Sequence, residues 1–399
     1  MSDAILVVNA GSSSIKFAIY ARGAILERRL RGLIEGLGSE PRFTASDGAG
    51  RALEGNPLAA SPASLTHAQA LALLFNWLDR QCADLSIAAA GHRVVHGGDD
   101  FGAPVLVDAA ILAKLDALTP LARLHQPHNL TAIRALQQLR PQLPQVASFD
   151  TAFHRTQPPL ARAYALAREL TDTGIKRYGF HGLSYQYIAG VLPGHLGAGA
   201  DGRVIIAHLG AGASMCALRE RKSAATTMGF TVLDGLMMGT RSGSLDPAVV
   251  LYLLGERGMS VDAVDDLLYL RSGLLGVSGL SADMRVLLAS PAPGARAAVE
   301  LFAYRAAREI GSLAAAIGGL DALVFTGGIG EHAAPVRATI CRQSAWLGID
   351  IDADANARHA PRISAAGGRV SAWVIPTDEE IVIARDAARL IDDMPSALR

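Results

Sequence analysis

Apolar positions along the chain recur with two different periods. Leu71, Leu74, Phe75, Leu78 and Cys82 fall on one helical face, with Thr66 placed as the N-cap. Asp108 opens a second helical stretch that ends at Thr119-Pro120. A third runs from about Ala295 to Ile317, with Val299, Phe302, Ala306, Ile310, Leu313 and Ile317 as its predicted buried stripe and Gly318-Gly319 as its stop. A final helix is expected over Glu380–Ile391. Between helices lie short β-rich runs at Ile5–Val8, Ile15–Ile19, Arg93–Val95, Val146–Phe149, Val204–Ala207 and Leu323–Phe325. Strands alternating with helices predict an α/β fold.

The chain echoes itself. "ILVVNAGSSSIKFAIY" from Ile5 aligns without gaps on "VIIAHLGAGASMCALR" from Val204, with Gly11 on Gly210 and Ser12-Ser13-Ser14 on Ala211-Gly212-Ala213. Two readings fit: unrelated glycine hairpins, or a duplicated domain whose halves each offer a phosphate-binding hairpin to a central cleft. A row of backbone N–H groups and hydroxyls beside a cation, here Lys16, suits a phosphate. A third glycine stretch, "ALVFTGGIGE", is read as a buried strand running into a loop where Gly327, Gly328 and Gly330 let backbone approach a ligand. It is not G-x-G-x-x-G and follows a helix instead of opening a strand–turn–helix unit, which argues against a dinucleotide fingerprint; a P-loop signature is also absent.

Composition narrows the class. At 399 residues the chain exceeds one ordinary core and suggests two domains. A formal net charge of +0 argues against a nucleic-acid partner. Ser2 and Asp3 stand where a secretory signal would be basic, and no apolar run approaches the roughly 18 residues of a membrane span. Cys82, Cys216 and Cys341 are far apart and read as reduced thiols, which suggests a cytoplasmic protein with no membrane partner.

Further stretches bring in a family. "HRVVHGG" (92–98), "FDTAFH" (149–154), "YGFHGLSY" (178–185), "HLGAGAS" (208–214), "GLMMGTRSGSLDP" (235–247), "TGGIGEH" (326–332) and "PTDEE" (376–380) occur in the order seen in acetate kinases. From about residue 5 to about residue 390 the sequence resembles that family, part of the acetate and sugar kinase and actin superfamily. The resemblance implies two duplicated actin-like, ribonuclease-H-like α/β domains around a nucleotide cleft. Residues 1–150 with about 381–399 would form the first, and 151–380 the second, nucleotide-binding one. It implies reversible, direct in-line transfer of the ATP γ-phosphoryl to acetate, giving acetyl phosphate and ADP, with Mg²⁺ or Mn²⁺, in a homodimer. The alternatives are a propionate or butyrate kinase of the same superfamily and a non-catalytic actin-like nucleotide switch.

The chemistry this implies needs no general base, because acetate is already an anion at neutral pH. Its difficulty is charge, so arginine, histidine and metal should dominate. By resemblance Arg93 is the substrate clamp, Arg241 the transition-state arginine and His181 the histidine that hydrogen-bonds the transferring phosphoryl. Asp150 is the active-site aspartate, read here as orienting an arginine or a metal-bound water. His125 is a substrate-side histidine with His128 as a competing neighbour. Asn9 and Glu379 match metal positions, and an ion held between the two ends of the chain would tie the domains together. Ser12, Ser14 and Lys16 form one phosphate loop, and His208, Leu209, Gly210, Ala211 and Gly212 a second. Gly328, Ile329, Gly330, Glu331 and His332 form the third, with Asp283, Met284 and Arg285 as an adenosine triplet. Four positions depart from the family pattern: Ala211 and His332 each stand for an asparagine, Ser244 for an aspartate, and Val232 for a proline of the acyl pocket.

Overall fold

The computed structural model describes residues 2–59 and 64–394. The chain forms two compact units, Met1–Ala152 with Asp378–Arg399, and Phe153–Thr377. The returning segment therefore begins at Asp378, a few residues before the expected 381.

In the first unit β1 (Ser2–Ala10), β2 (Ser14–Ala21), β3 (Glu27–Glu35), β4 (Arg42–Asp47), β5 (Leu85–Val94), β6 (Val105–Leu106) and β7 (Gln145–Phe149) make one sheet. Its order is β4-β3-β2-β1-β5-β7-β6. In the second, β8 (Val204–Leu209), β9 (Ala213–Arg219), β10 (Lys222–Thr226), β11 (Ala322–Thr326) and β12 (Ser371–Val374) are ordered β10-β9-β8-β11-β12. Ala4 to Val8 are buried without alternation, as a strand covered on both faces requires.

The two sheets repeat one plan. β3-β2-β1-β5-β7 and β10-β9-β8-β11-β12 share order and direction: antiparallel on the hairpin side, parallel on the other. The glycine hairpins are thus equivalent parts of a duplicated domain. Their turns differ by one residue, since Ala10 pairs with Ile15 whereas Leu209 pairs with Ala213. The ungapped alignment consequently slips by one position after the turn. Gly11 N donates to Ser14 O at 2.8 Å, and Gly210 N to Gly212 O at 3.0 Å, closing the two turns.

Helix His67–Gln81 starts where Thr66 and Gln69 form a reciprocal capping box, and Leu71, Leu74, Phe75 and Leu78 are buried beneath it. Asp108 caps helix Ala109–Ala117. Helix Pro293–Ile317 ends at Gly318, which takes a left-handed φ of 73°. Phe302, Ala306, Ile310, Leu313 and Ile317 are buried as expected, but Val299 is only half-buried and small alanines such as Ala295, Ala298 and Ala303 fill the stripe.

Helix Glu379–Asp392 packs on β1, β5 and β7. It approaches closely at Gly91, where a Cβ would lie 2.6 Å from Ile383 Cγ2 and 3.1 Å from the Ile383 carbonyl oxygen. Gly91→Val is therefore expected to cost about 1–3 kcal/mol through overpacking, read as a lower urea midpoint; an unchanged midpoint would show that the helix can step aside.

Candidate active site

In the first unit the chemistry gathers at strand ends. Asn9 of β1 lies directly across from Lys16 of β2, so both side chains leave the same face of the hairpin. Arg93, near the end of β5, is in register with Ser148 of β7, and Asp150 follows β7 immediately. The Arg93 fork donates to Asp150 from Nε at 3.0 Å and from Nη2 at 2.6 Å. Its Nη1 reaches Asn9 Oδ1 at 3.5 Å. Only 2% of the Asp150 side chain is exposed, against 21% for Arg93. Burial alone would lower the Arg93 guanidinium, but the Asp150 carboxylate and the charge of Glu379 hold it above its ordinary value. Asp150 thus does what an orienting residue must: it fixes the plane of the guanidinium.

Glu379 is the first residue of its helix. Asp378 caps that helix by accepting from Ile381 N at 3.0 Å, and it also accepts from Tyr20 Oη and from Arg28 Nη1. Asn9 and Glu379 therefore both belong to the first unit. An ion held by them would join the two ends of the chain within one unit, which corrects the expectation that it ties two domains.

His125 precedes helix Gln126–Leu139, and one turn in stands Asn129, which the sequence reading missed. Its amide donates to the Ala10 carbonyl at 2.7 Å and accepts from Val95 N at 3.0 Å, tying the ends of β1 and β5. His67, also missed, donates from Nε2 to the Gly11 carbonyl at 2.7 Å and stacks on His128 at 5.5 Å. Burial, and then the nearby His67, lower the His128 pKa. The available signal was a buried asparagine amid the apolar face of its helix; His67 had none beyond its type.

The second unit builds around Gly212. A Cβ there would lie 3.3 Å from His181 Nε2 and 3.4 Å from Arg241 Nη2, so glycine lets a histidine and an arginine close on the same turn. Arg241 Nη1 donates to the Val232 carbonyl at 2.7 Å. His181 adopts a left-handed φ of 58° just after Gly179 at 78°. It pairs through Nδ1 with Ser214 Oγ at 2.8 Å and stacks on His208 at 4.4 Å. His208 in turn pairs with Ser184 Oγ at 2.8 Å. Ala211 accepts from Gly239 N at 2.9 Å.

The Thr-Gly-Gly-x-Gly stretch is not a loop. β11 runs directly into a short helix, Gly327–His332, so the strand–helix junction rejected from the sequence is present. Gly327 N and Thr377 N both donate to Glu331 Oε1, at 2.9 and 3.3 Å. The Glu331 side chain is thus engaged inside the unit. Gly328 N lies 4.0 Å from the Cβ position of Gly210, which places this junction against the β8–β9 turn. Leu209 and Gly330 are buried, Ile329 is half-buried, and His332 is exposed. Met284 is buried, while Arg285 folds back on Asp283 with Nη2–Oδ2 at 2.6 Å.

One departure explains itself. Ser244 donates to Asp234 Oδ1 at 2.7 Å and accepts from Gly235 N at 3.1 Å. An aspartate at 244 would set a second carboxylate against Asp234.

No cluster of three or more His, Cys, Asp or Glu side chains suited to a metal occurs among the described residues. Asn9 and Glu379 offer oxygen donors only, beside the Asp150 carboxylate. That set fits a hard ion that keeps waters and phosphate oxygens around it.

Paired domains of one strand order, each with a glycine hairpin beside a basic side chain, are the architecture of the actin-like fold. The profile of the Acetokinase family matches residues 4–385. The acetate kinase of Rhodopseudomonas palustris (strain ATCC BAA-98 / CGA009) is 57% identical over 402 residues, covering 98% of this chain and 99% of that protein. That of Nitrobacter hamburgensis is 50% identical over 398 residues, covering 99% and 98%. Among solved structures, a propionate kinase from Francisella tularensis subsp. tularensis SCHU S4 superposes with a TM-score of 0.89 at 38% identity, covering 98% of this chain and all of that one. Porphyromonas gingivalis acetate kinase gives 0.86 at 34% identity, with the same coverage. The chain belongs to the acetokinase family. Among the described residues no helix is long and apolar enough to cross a membrane.

Proposed function

We propose that this chain transfers the γ-phosphoryl of ATP to acetate, giving acetyl phosphate and ADP, reversibly. The observation that carries the reading is the convergence of His181 and Arg241 on Gly212. An acetate oxygen attacks the γ-phosphorus as the bond to the β–γ bridging oxygen breaks, and ADP leaves. Arg93, its plane set by Asp150, grips the carboxylate, with His125 on the substrate side. Arg241 and His181 neutralise charge on the equatorial phosphoryl oxygens. Asp150 takes no proton, because the nucleophile carries none. Lys16, Ser12, Ser14 and the turn His208 to Gly212 hold phosphates. The segment Gly328 to His332 and the triplet Asp283 to Arg285 hold the rest of the nucleotide. Asn9 and Glu379 would hold a Mg²⁺ or Mn²⁺, which would supply further charge neutralisation.

ADP release measured with and without acetate tests this reading. Acetate-dependent turnover with acetyl phosphate as product is expected; slow hydrolysis indifferent to acetate would make the chain a nucleotide switch. A longer acyl chain is the second reading, favoured by Val232 in the acyl pocket and by the likeness to a propionate kinase. A pocket methylene decides only ~1–3 kcal/mol, so kcat/KM across acetate, propionate and butyrate ranks the substrates.

For the metal, Glu379→Ala should raise the Mg²⁺ concentration for half-maximal rate at least tenfold while leaving the acetate KM nearly unchanged. An unaltered metal titration would remove Glu379 from the ion's shell.

The second unit also carries an apolar surface. Leu251 and Tyr252 on helix Pro247–Gly255 are 70% and 51% exposed, and Val261 and Leu270 on helix Val261–Leu270 are 67% and 52% exposed. Single exposed apolar residues are ordinary, but a concentration of them on packed helices suits a partner surface. The partner proposed is a second copy of the chain. Leu251→Glu should shift sedimentation from dimer to monomer; a monomeric wild-type protein would refute the assembly. Three buried, unpaired cysteines suit the reducing cytoplasm proposed as its compartment.

A further inference from the structure

We propose that His154 is a positioning residue that holds His181 in place through the Phe180 carbonyl. The inference rests on the reading of His181 as the group that binds the transferring phosphoryl. His154 is 1% exposed and sits at the start of the second unit. Its Nε2 lies 2.9 Å from the Phe180 carbonyl oxygen. A carbonyl can only accept, so Nε2 carries the proton. Burial drives the His154 pKa down to about 4, so at neutral pH the ring is uncharged and its Nδ1 must be an acceptor.

The acceptor is met by donors. Ser223 Oγ lies 2.9 Å from Nδ1, and Gln157 Nε2 donates to Ser223 Oγ at 2.9 Å. Gln157 Nε2 also lies 3.3 Å from Nδ1 itself, and Cys216 Sγ lies 3.2 Å from Ser223 Oγ, so the Ser223 hydroxyl and the Gln157 amide are both placed to donate to the ring. The bond from Nε2 to the Phe180 carbonyl has only one possible direction.

The held carbonyl is the one that matters. Phe180 precedes His181, whose left-handed φ of 58° is uncommon for a residue with a side chain. Two residues before His181, Gly179 has a φ of 78°, and a Cβ there would fall 2.6 Å from His154 Cδ2. The His154 ring thus packs against Gly179 just where the chain turns into His181. From the other side, Ser214 holds the His181 ring through Nδ1. Two separate anchors fix one side chain, one through its backbone and one through its ring. Strained conformations of this kind persist when their surroundings over-determine them.

The test separates the two ends of the ring. In His154→Gln the amide N–H can reach the Nε2 position and still donate to Phe180. In His154→Asn the shorter amide matches Nδ1, keeps Ser223 and loses Phe180. A misplacement of about 1 Å can cost on the order of 100-fold in rate. His154→Asn should therefore lower kcat by about 10- to 100-fold with the KM for ATP and acetate nearly unchanged, while His154→Gln stays within a few-fold of wild type. Each variant is also made in the His181→Ala background, where His154→Asn should cost less than twofold. Equal losses in both backgrounds, or a Gln variant as poor as the Asn variant, would overturn the positioning role and leave His154 a core residue. Wild-type turnover in His181→Ala alone would instead overturn the His181 reading itself, and the positioning role with it.

Discussion

Arg241→Ala should lower kcat by about 10³-fold or more, the scale of a lost transition-state arginine in phosphoryl transfer. The guanidinium donates to the Val232 carbonyl and lies beside the open turn at Gly212. The variant's ATP KM should change far less than kcat, because the charge that Arg241 meets develops in the transition state. Arg241→Lys should recover only a part, since an ammonium cannot span two oxygens as a fork does. A kcat within tenfold of wild type in Arg241→Ala would take this residue out of the reaction.

Arg93→Ala should fail in two ways at once. It removes the proposed grip on acetate, so kcat/KM for acetate should fall by two orders of magnitude or more. It also strips the bidentate partner from a carboxylate that is 2% exposed. Breaking a buried pair from one side costs about 3–5 kcal/mol, and the thermal midpoint should drop accordingly. The double variant Arg93→Met with Asp150→Leu separates the effects. It leaves no orphaned charge, so stability should return while activity does not. A single variant as stable as wild type would mean that the Asp150 carboxylate does not depend on Arg93 for its burial.

The sequence was most legible where local chemistry decides. Thr66 and Gln69 cap a helix with atoms three residues apart, and Asp108 does the same. The duplication was readable because both hairpins keep an apolar run, a glycine and small residues in step, although the pattern could not reveal the one-residue difference in the turns. β3 went unnoticed because Arg28, Arg29 and Arg31 interrupt its apolar positions, and its pairing with β2 and β4 makes it a strand. The helix at Gly327 was hidden for a related reason. Glycines disfavour helix, and it takes the side chain of Glu331, folded back onto Gly327 N, to close the turn. His154 escaped because its partners, Ser223 and Phe180, lie 69 and 26 residues away. Arg93 and Asp150 were each found by resemblance, but the fork between them, 57 residues apart in sequence, appears only in space.

The return of the chain to its first unit has a consequence for how the protein is made. Synthesis runs through Phe153–Thr377, about 225 residues, before it reaches Glu379 and the helix that covers Gly91. At about 5–20 residues per second this takes roughly 10–45 s. Over that interval the first unit emerges with its hairpin, Arg93 and Asp150, yet one face of β1, β5 and β7 still waits for its cover. The half that is begun first is therefore finished last, and a chain ending at Thr377 exposes apolar sheet to chaperones instead of presenting a working enzyme.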